Sequence, residues 1–396
     1  MKRLLSWLRG SFFRMTSFAL GAVFAAGLVT MFAAQAVDEY GIFELDGNVE
    51  GNGPGLPDDW QEVYEGNSSA AKVLFIPVSD GMGGGEGPAY DRSHLTQGTK
   101  DIDDLLDWVI DPGDVANAKA EILNAFAAAY LAPVNGGGNH FVTYFGFDRE
   151  ANEGTANGSF WLLRQRTEIV QIAGQDTPDN PDDDQFSFNR SHSDGDILLA
   201  TDYVKGGKEP ITYAFMWQGG ADGSLVQLGG AAAACPGDGS GGHPEPYGAI
   251  TNSGGEMVPW PFPGKNLAME GYYDELMLLE GGVDLTELLG DDVGCFATFI
   301  AGTRTSAPPT ASLKDIAIGE FDTCSITVDK SGDELAKVGA DPADSAMYTI
   351  VIKNDGLVTL YKQSIVDSLM GDLTDGSNGY IQSNTCGDAL AAGESC

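Results

Sequence analysis

The sequence has few basic side chains. Its 396 residues include 21 Lys and Arg against 58 Asp and Glu, so the formal net charge is −37 at pH 7. Such an acidic surface repels phosphate backbones, and we therefore expect no nucleic-acid partner. The same acidity suits high solubility, a saline environment or divalent cations, and composition alone does not separate these three.

Cysteine is also scarce, and its spacing disfavours zinc. No C-x-x-C pair occurs among the five cysteines, which are Cys235, Cys295, Cys324, Cys386 and Cys396. Structural zinc usually needs close pairs, so we expect no zinc cluster. Cys386 and Cys396 are close enough in sequence to close a small disulfide loop, and the other three leave one odd thiol. The odd count predicts a partner beyond residue 396.

The amino terminus has the parts of a secretory signal. Residues 1–14 carry four basic and no acidic side chains, an apolar run extends from Met15 to Phe32, and Ala34-Gln35-Ala36 is an A-x-A cleavage pattern. An uncleaved membrane anchor is the alternative, because the run approaches the length of a bilayer span. We predict cleavage after residue 36, which lowers the net charge from −37 to −41 by removing four basic residues. The mature protein is then extracellular or on the cell surface, with no stable membrane span.

Long helical periodicity is rare, and glycine is abundant at 54 residues. Short runs rich in branched and aromatic residues predict strands at Lys72–Val78, Phe141–Phe147, Phe160–Arg164, Ile197–Val204, Ile211–Trp217, Ser224–Leu228, Phe296–Ile300, Leu313–Ile318, Ile326–Lys330 and Met347–Asn354. One strong helix is predicted from Val115 to Leu131, with Asp114 as its N-cap and Ala as the main residue. Weaker helices are predicted at Tyr273–Leu279 and Leu285–Leu289. The chain is therefore predicted to be mainly β.

Several motifs resemble segments of large bacterial surface proteins of uncharacterised function. Those that cover much of residues 40–324 include Phe145-Gly-Phe-Asp-Arg149, His192-Ser-Asp-Gly-Asp-Ile-Leu-Leu199, Glu280-Gly-Gly-Val-Asp-Leu285 and Phe321-Asp-Thr-Cys324. The resemblance implies a laminin-G or concanavalin-like jelly roll. Residues 325–396 are similar to an immunoglobulin-like conserved repeat, through Tyr348-Thr-Ile-Val-Ile-Lys-Asn354 and Leu390-Ala-Ala-Gly-Glu-Ser-Cys396.

The predicted organisation has three parts. A signal peptide at 1–36 precedes a jelly-roll-like β-sandwich with one prominent helix at 37–324, and a truncated immunoglobulin-like β-sandwich follows at 325–396. In the family that the tail resembles, a further strand follows the position where this chain stops. The resemblance therefore implies a fragment or truncated product whose last module has an unpaired sheet edge, which invites pairing with another chain. It implies no catalytic residue.

Calcium is the cofactor that the sequence favours, because it binds hard oxygen ligands. Asp194, Asp196 and Asp202 cluster around a strand and the loop after it, and they form the predicted metal site. The acidic loop Asp179–Asp184 is a further candidate. None of these matches an EF-hand, and the alternatives are turn formation at Asp194-Gly195 and plain solvation of the acidic loop.

No pattern of catalytic residues stands out. The histidines lack the spacing of a zinc protease, and the residues adjacent to His192 cannot supply a triad, which is assembled from distant segments. Glu275 and Glu280 are the acids nearest to apolar surroundings, but both lie beside a helix-like stretch without a glycosidase strand pattern. Three tryptophans in polar or glycine-rich settings are candidates for exposed sugar stacking: Trp60, Trp108 and Trp260.

The leading interpretation is a non-enzymatic secreted or cell-surface protein that serves adhesion or envelope architecture and binds an extracellular protein or glycan. One alternative is a lectin-like, calcium-dependent carbohydrate-binding module. A concave sheet face with an exposed tryptophan would favour it, and a face filled with packed side chains would oppose it. The other alternative is a jelly-roll glycoside hydrolase, which needs two carboxylates about 5 to 10 Å apart in one cleft.

Overall fold

The computed structural model describes the chain from residue 37 to residue 396, with gaps. The gaps are residues 52, 54–56, 78–92, 97, 112–115, 135–137, 153, 155–156, 174–183, 205–207, 237–244, 266–268, 270, 291–292, 333–345 and 375–376. The predicted signal peptide and most of the predicted acidic loop therefore lie outside the described residues. No helix in the described part is long and apolar enough to cross a membrane.

The described chain is mainly β. Its strands are β1 (Lys72–Ile76), β2 (Ile122–Pro133), β3 (Asn139–Arg149), β4 (Asn157–Leu163), β5 (Ile169–Ala173), β6 (Gln185–Phe188), β7 (Ile197–Val204), β8 (Glu209–Gln218), β9 (Ser224–Ala232), β10 (Tyr247–Thr251), β11 (Glu256–Met257), β12 (Tyr272–Tyr273), β13 (Leu278–Asp284), β14 (Thr298–Arg304), β15 (Leu313–Glu320), β16 (Ile326–Gly332), β17 (Tyr348–Asn354), β18 (Leu360–Tyr361), β19 (Val366–Asp367), β20 (Gly371–Asp372) and β21 (Ala389–Leu390). Two short α-helices accompany them in the described part, α1 (Trp60–Glu65) and α2 (Leu285–Leu289). Asp59 and Glu62 form a capping box at the start of α1, and Gly66 ends the helix in the left-handed conformation.

Two antiparallel sheets form a β-sandwich, as the sequence predicts. One has five strands in the order β1-β2-β3-β13-β10, and the other has six in the order β15-β14-β4-β7-β8-β9. Side chains from both sheets form one apolar core between them. Phe145 and Phe160, from opposite sheets, have ring centroids 4.4 Å apart at its centre.

Both sheets are also partly covered on their outer faces, although most residues of the edge strand β9 stay exposed or half-buried. The segment 37–63 and the segment 258–277 contribute side chains to an apolar cluster on the five-stranded sheet. The segment 95–110 does the same on the six-stranded sheet, around Trp161 and Trp217. Every residue of β4, β13 and β14 is therefore buried. Strands buried on both faces lose the apolar–polar alternation of a half-exposed strand.

The helix predicted from Val115 to Leu131 is wrong, because most of this segment is strand β2. It pairs with β1 on one side and with β3 on the other. Ala127 lies in the core between the sheets, whereas the next residue, Ala128, lies in the outer cluster. Because both faces of β2 are buried, its sequence lacks the apolar–polar alternation of a half-exposed strand. Packing between the two apolar clusters outweighs the helix preference of alanine.

The other secondary-structure predictions divide clearly. Each predicted strand overlaps an observed one, and Ile197–Val204 matches β7 at both ends. The helix predicted at Leu285–Leu289 is confirmed as α2. The helix predicted at Tyr273–Leu279 is wrong, because this segment holds the end of β12 and the start of β13.

Glycines in the five-stranded sheet make room for aromatic rings of the neighbouring strand. Gly146 pairs in register with Phe126, and a Cβ at this glycine would overlap the Phe126 ring. Gly281 pairs with Phe145, where a Cβ would lie 2.7 Å from the ring and 2.8 Å from the carbonyl oxygen of Gly248. Bare backbone therefore lets each ring lie close against the next strand.

The tail, residues 325–396, consists of two-stranded ribbons that contact the sandwich. β16 pairs with β17, β18 with β21, and β19 with β20. Leu357 and Val358 belong to the core between the two large sheets, and the Leu357 amide donates to the carbonyl of Thr323 at 2.8 Å. The tail is therefore packed onto the sandwich, and its immunoglobulin-like assignment stays a prediction.

Two disulfides are present. Cys386–Cys396 closes the small loop that the sequence predicts, and Cys295–Cys324 joins residues 29 positions apart. Cys235 lies outside both disulfides and is buried, and burial raises the pKa of its thiol well above the usual value. Disulfides are compatible with an extracellular protein.

Candidate functional site

The three aspartates predicted to bind metal lie in separate surroundings. Asp194 is exposed, and its Oδ1 accepts hydrogen bonds from the backbone amides of residues 219–220 at 2.7 and 2.8 Å. Those bonds lower its pKa. Asp202 lies 3.6 Å from the guanidinium of Arg304, and burial raises its pKa to about 6 against the attraction of that cation. Asp196 binds a different partner, so the three side chains do not converge on one site.

Asp196 is the partner of a buried histidine. Its Oδ2 lies 2.9 Å from Nδ1 of His192, whose ring lies between Trp161 and Trp217 with both centroid distances at 4.4 Å. The backbone amide of Ser193 also donates to the same carboxylate oxygen at 2.9 Å. This arrangement fixes a loop against the outer cluster of the six-stranded sheet, and it explains these residues without a metal or a catalytic triad.

The tryptophans considered for sugar stacking are buried. Trp60, Trp108 and Trp260 are between 0 and 2% exposed. The indole nitrogens of Trp60 and Trp260 donate to the buried carboxylates of Glu280 and Asp148. In the part of the chain that the structure describes, no tryptophan presents a ring to solvent.

Asp148 is the centre of one buried hydrogen-bond network. Its Oδ2 accepts from the Tyr273 hydroxyl at 2.7 Å, from Asn124 Nδ2 at 2.8 Å and from Trp260 Nε1 at 3.0 Å. Burial raises its pKa to about 6, and these donors oppose the shift. The network joins β2 and β3 to the segment that covers their outer face.

A second group of carboxylates lies at an open, polar pocket of about 500 Å³. Its lining, which we call the acidic pocket, consists of Asp46, Asn48, Glu50, Gly51 and Glu256. Side chains that carry oxygen occupy alternate positions of the segment 46–50. Asp46 Oδ1 accepts hydrogen bonds from the backbone amide of Asn48 at 3.0 Å and from Asn48 Nδ2 at 2.6 Å. These bonds form a turn in which the Asp46 side chain accepts from the backbone two residues later.

Two fully buried acids lie close to the acidic pocket. Glu280 of β13 accepts from the Gly47 amide at 2.5 Å and from Trp60 Nε1 at 2.7 Å. Asp59, the N-cap of α1, uses Oδ1 to accept from the Trp60 amide at 2.6 Å, whereas its Oδ2 has no hydrogen-bond partner. Burial, followed by repulsion from Glu280, raises the pKa of Asp59 well above its usual value.

The negative charges of these acids raise the pKa values of their neighbours. Burial, with smaller contributions from the nearby carboxylates of Asp46 and Glu50, raises the pKa of Glu256 to about 7. Burial also raises the pKa of Glu280, with further contributions from Asp46 and Glu256. No described lysine, arginine or histidine forms an ion pair with any of them.

A third cluster contains a histidine. His94, Glu121 and Asp315 are buried, and one ligand atom from each lies within 4.8 Å of the others. His94 Nε2 is 2.9 Å from Glu121 Oε2, while Asp315 accepts from Ser93 Oγ at 2.8 Å and from the Ile122 amide at 2.7 Å. These bonds account for the cluster as a buried polar network that joins three segments.

The tail contains an apolar groove of about 400 Å³. We use this name for the space lined by Ile326, Val328, Lys330, Ile350, Ile352, Leu360, Tyr361, Lys362, Gln363, Ser364, Ile365, Val366, Asp367, Leu373, Cys386, Gly387, Ala389, Leu390 and Cys396. Ile326 is 57% exposed, Val328 60% and Val366 69%. Clustered apolar exposure of this kind marks an interaction surface.

The comparisons identify no relatives. No family model matches the chain, and the comparisons with curated proteins and with solved structures found no match. The resemblance to laminin-G or concanavalin-like and immunoglobulin-like modules therefore stays a prediction, and function has to be argued from the residues themselves.

Proposed function

We propose that this is a non-enzymatic secreted or cell-surface protein that serves adhesion or envelope architecture through contacts with other polypeptides. The apolar groove is the observation that carries this proposal. Much of the outer face of each sheet is covered by other segments, which leaves less sheet surface on which a glycan could stack. The groove, by contrast, exposes apolar side chains on a strand.

The geometry of β16 suits the addition of another strand. All seven of its residues are exposed, and β17 is its one pairing partner among the described strands. Ile326, Val328 and Lys330 alternate along β16 and line the groove. An extended segment that pairs with the other edge of β16 would gain backbone hydrogen bonds, and its alternate side chains would enter the groove.

A second copy of this chain is the occupant that we propose. The groove includes Lys330 and Lys362, whereas the chain as a whole has a net charge of −37. Both lysines already pair with acids of the tail, Lys330 with Asp367 at 2.7 Å and Lys362 with Asp388 at 3.6 Å, so like charges do not surround the apolar lining and the same exposed strand of a second copy can pair with it. Self-association of this kind builds a surface layer or a homotypic adhesive contact.

Sedimentation velocity of the full chain over a range of concentrations tests this proposal. We expect concentration-dependent association, which Val328→Asp weakens by about tenfold or more because it places a charge in the groove. Ile172→Asp is the matched control, since Ile172 is 51% exposed on β5 and does not line the groove. A chain that stays monomeric at all concentrations would contradict the proposal, and so would equal weakening by both variants.

The two alternative functions receive less support. Glu280, one of the acids considered for glycoside hydrolysis, is fully buried, and its two oxygens accept from Gly47 and Trp60. The candidate stacking tryptophans are also buried. Neither Glu280 nor these tryptophans is therefore accessible to a sugar.

A further inference from the structure

A small pocket is lined by residues of both large sheets of the sandwich. Its volume is about 10 Å³, which is about that of one water-sized sphere. Arg149 at the end of β3 lines it, together with Tyr203 of β7, the loop residue Leu276 and apolar side chains of β3 and β13. We propose that this pocket binds one monatomic anion, with chloride as the expected ion, between the guanidinium of Arg149 and the hydroxyl of Tyr203. The site is separate from the apolar groove of the tail.

Arg149 is a buried cation without a carboxylate partner. It is 5% exposed, and its guanidinium donates to backbone carbonyls, from Nε to Leu276 at 2.8 Å and from Nη1 to Lys119 and Gly154 at 3.3 Å each. Among the described residues, none accepts from its Nη2, and no Asp or Glu forms an ion pair with it. Arginine stays protonated in proteins, and a buried charge is normally paired. The guanidinium therefore favours an anion in the pocket that it lines.

The hydroxyl of Tyr203 is an independent reason for a ligand in this pocket. Tyr203 is 7% exposed, and its Oη is buried without a hydrogen-bond partner. A buried polar group without a partner is costly and rare. Burial raises the pKa of this hydroxyl well above its usual value, against the attraction of the nearby Arg149 cation. The hydroxyl therefore keeps its proton, and an anion in the pocket would accept a hydrogen bond from it.

The loop between β12 and β13 holds the guanidinium in place. Leu276 in this loop has a φ of 67°, and it is the single residue other than glycine with a positive φ in the part of the chain that the structure describes. Its amide donates to the carbonyl of Asn252 at 2.9 Å, while its own carbonyl accepts from Nε of Arg149. Since backbone carbonyls occupy Nε and Nη1, Nη2 is the donor that remains for an ion.

The size and charge of the pocket select chloride. Sulfate, phosphate and carboxylate ions have several heavy atoms, and they are too large for a volume of about 10 Å³. A water molecule would fit and accept from both donors, but it would leave the charge of Arg149 without a counter-ion. Chloride accepts from both donors and supplies that counter-ion. Because Arg149 belongs to the five-stranded sheet and Tyr203 to the six-stranded sheet, the ion would also join the two sheets.

Thermal unfolding of the full chain in sodium chloride and in sodium gluconate at equal ionic strength tests the proposal in solution. We expect a higher midpoint in chloride that rises with its concentration, because chloride binds the folded state and gluconate is too large for the pocket. Tyr203→Phe should weaken chloride binding by about tenfold or more, since it removes a hydrogen bond to a charged ligand. Tyr144→Phe is the matched control. Tyr144 is also buried, but its hydroxyl donates to the carbonyl of Val37 at 2.9 Å, so this variant should keep the chloride-dependent rise.

Crystals of the unmodified chain grown with sodium bromide in place of chloride give a test that needs no variant. We expect one anomalous bromide peak in contact with Arg149 and Tyr203. Density without an anomalous signal at this position would assign the pocket to water and overturn the proposal. Equal midpoints in chloride and gluconate would also overturn it, and so would a chloride-dependent rise that Tyr203→Phe retains in full or that both variants lose equally.

Discussion

Replacing Gly281 by alanine should destabilise the sandwich. A Cβ at this position would lie 2.7 Å from Cε2 of Phe145 and 2.8 Å from the carbonyl oxygen of Gly248, and both distances are shorter than the 3.4 Å at which ordinary contact begins. Relief requires movement of a ring in the core between the sheets and separation of β10 from β13. Overpacking of this kind costs about 1 to 3 kcal/mol, and the backbone contact places the expected loss at about 2 to 3 kcal/mol.

Urea unfolding followed by tryptophan fluorescence measures this loss, because the described tryptophans are buried in the folded chain. Gly254→Ala is the matched control, since a Cβ there would meet no heavy atom within 4 Å. Its unfolding midpoint should equal that of the unmodified protein. An unchanged midpoint for Gly281→Ala would refute the packing argument, and an equal decrease in both variants would assign the effect to the replacement of glycine itself.

Three further outcomes follow from the structure. Replacing Cys295 and Cys324 together by alanine should lower the free energy of unfolding by about 3 to 4 kcal/mol, because the unfolded chain gains the entropy of an open loop. A loss below about 1 kcal/mol would contradict this loop-entropy argument. Tyr273→Phe removes one of the donors to the buried Asp148 and should cost about 1 to 2 kcal/mol in the same urea assay, where no loss would show that the bond is unimportant. The pKa of Glu256 is raised to about 7 from 4.5, so its contribution to stability is full below about pH 4.5 and is lost as the pH rises through 7. In calcium-free buffer Glu256→Gln should therefore reduce the decline in unfolding midpoint between these pH values, and a steeper decline would contradict the assignment.

The strands were predictable because they are short and bounded by turn residues. β7 and β15 begin at the residues that the sequence indicates. β2 was not predictable in the same way, because the covering segments that bury its second face lie far away in the sequence. A run such as Ala127–Ala129 has no alternation once both faces are apolar, and its composition then favours a helix.

The acidic pocket was less accessible to sequence reasoning. Its loop shows a weak signal, the alternation of Asp46, Asn48 and Glu50, but Glu256 and Glu280 join it only through the fold. The segment from Asp194 to Asp202 also carries oxygen ligands at alternate positions, Asp194 and Asp196. These carboxylates accept hydrogen bonds from backbone amides or pair with the buried side chains of His192 and Arg304. No sequence pattern distinguishes such hydrogen bonds and ion pairs from metal binding.

The Cys295–Cys324 disulfide determines how mechanical force would travel through the protein. Tension applied to the tail enters the sandwich at Cys324 and passes through the bond to Cys295, which precedes β14. β14 and β15 lie inside the closed loop of 29 residues and carry no load while the bond is intact. At about 3.4 Å per residue, about 100 Å of chain therefore cannot extend under force until a reductant breaks the Cys295–Cys324 bond.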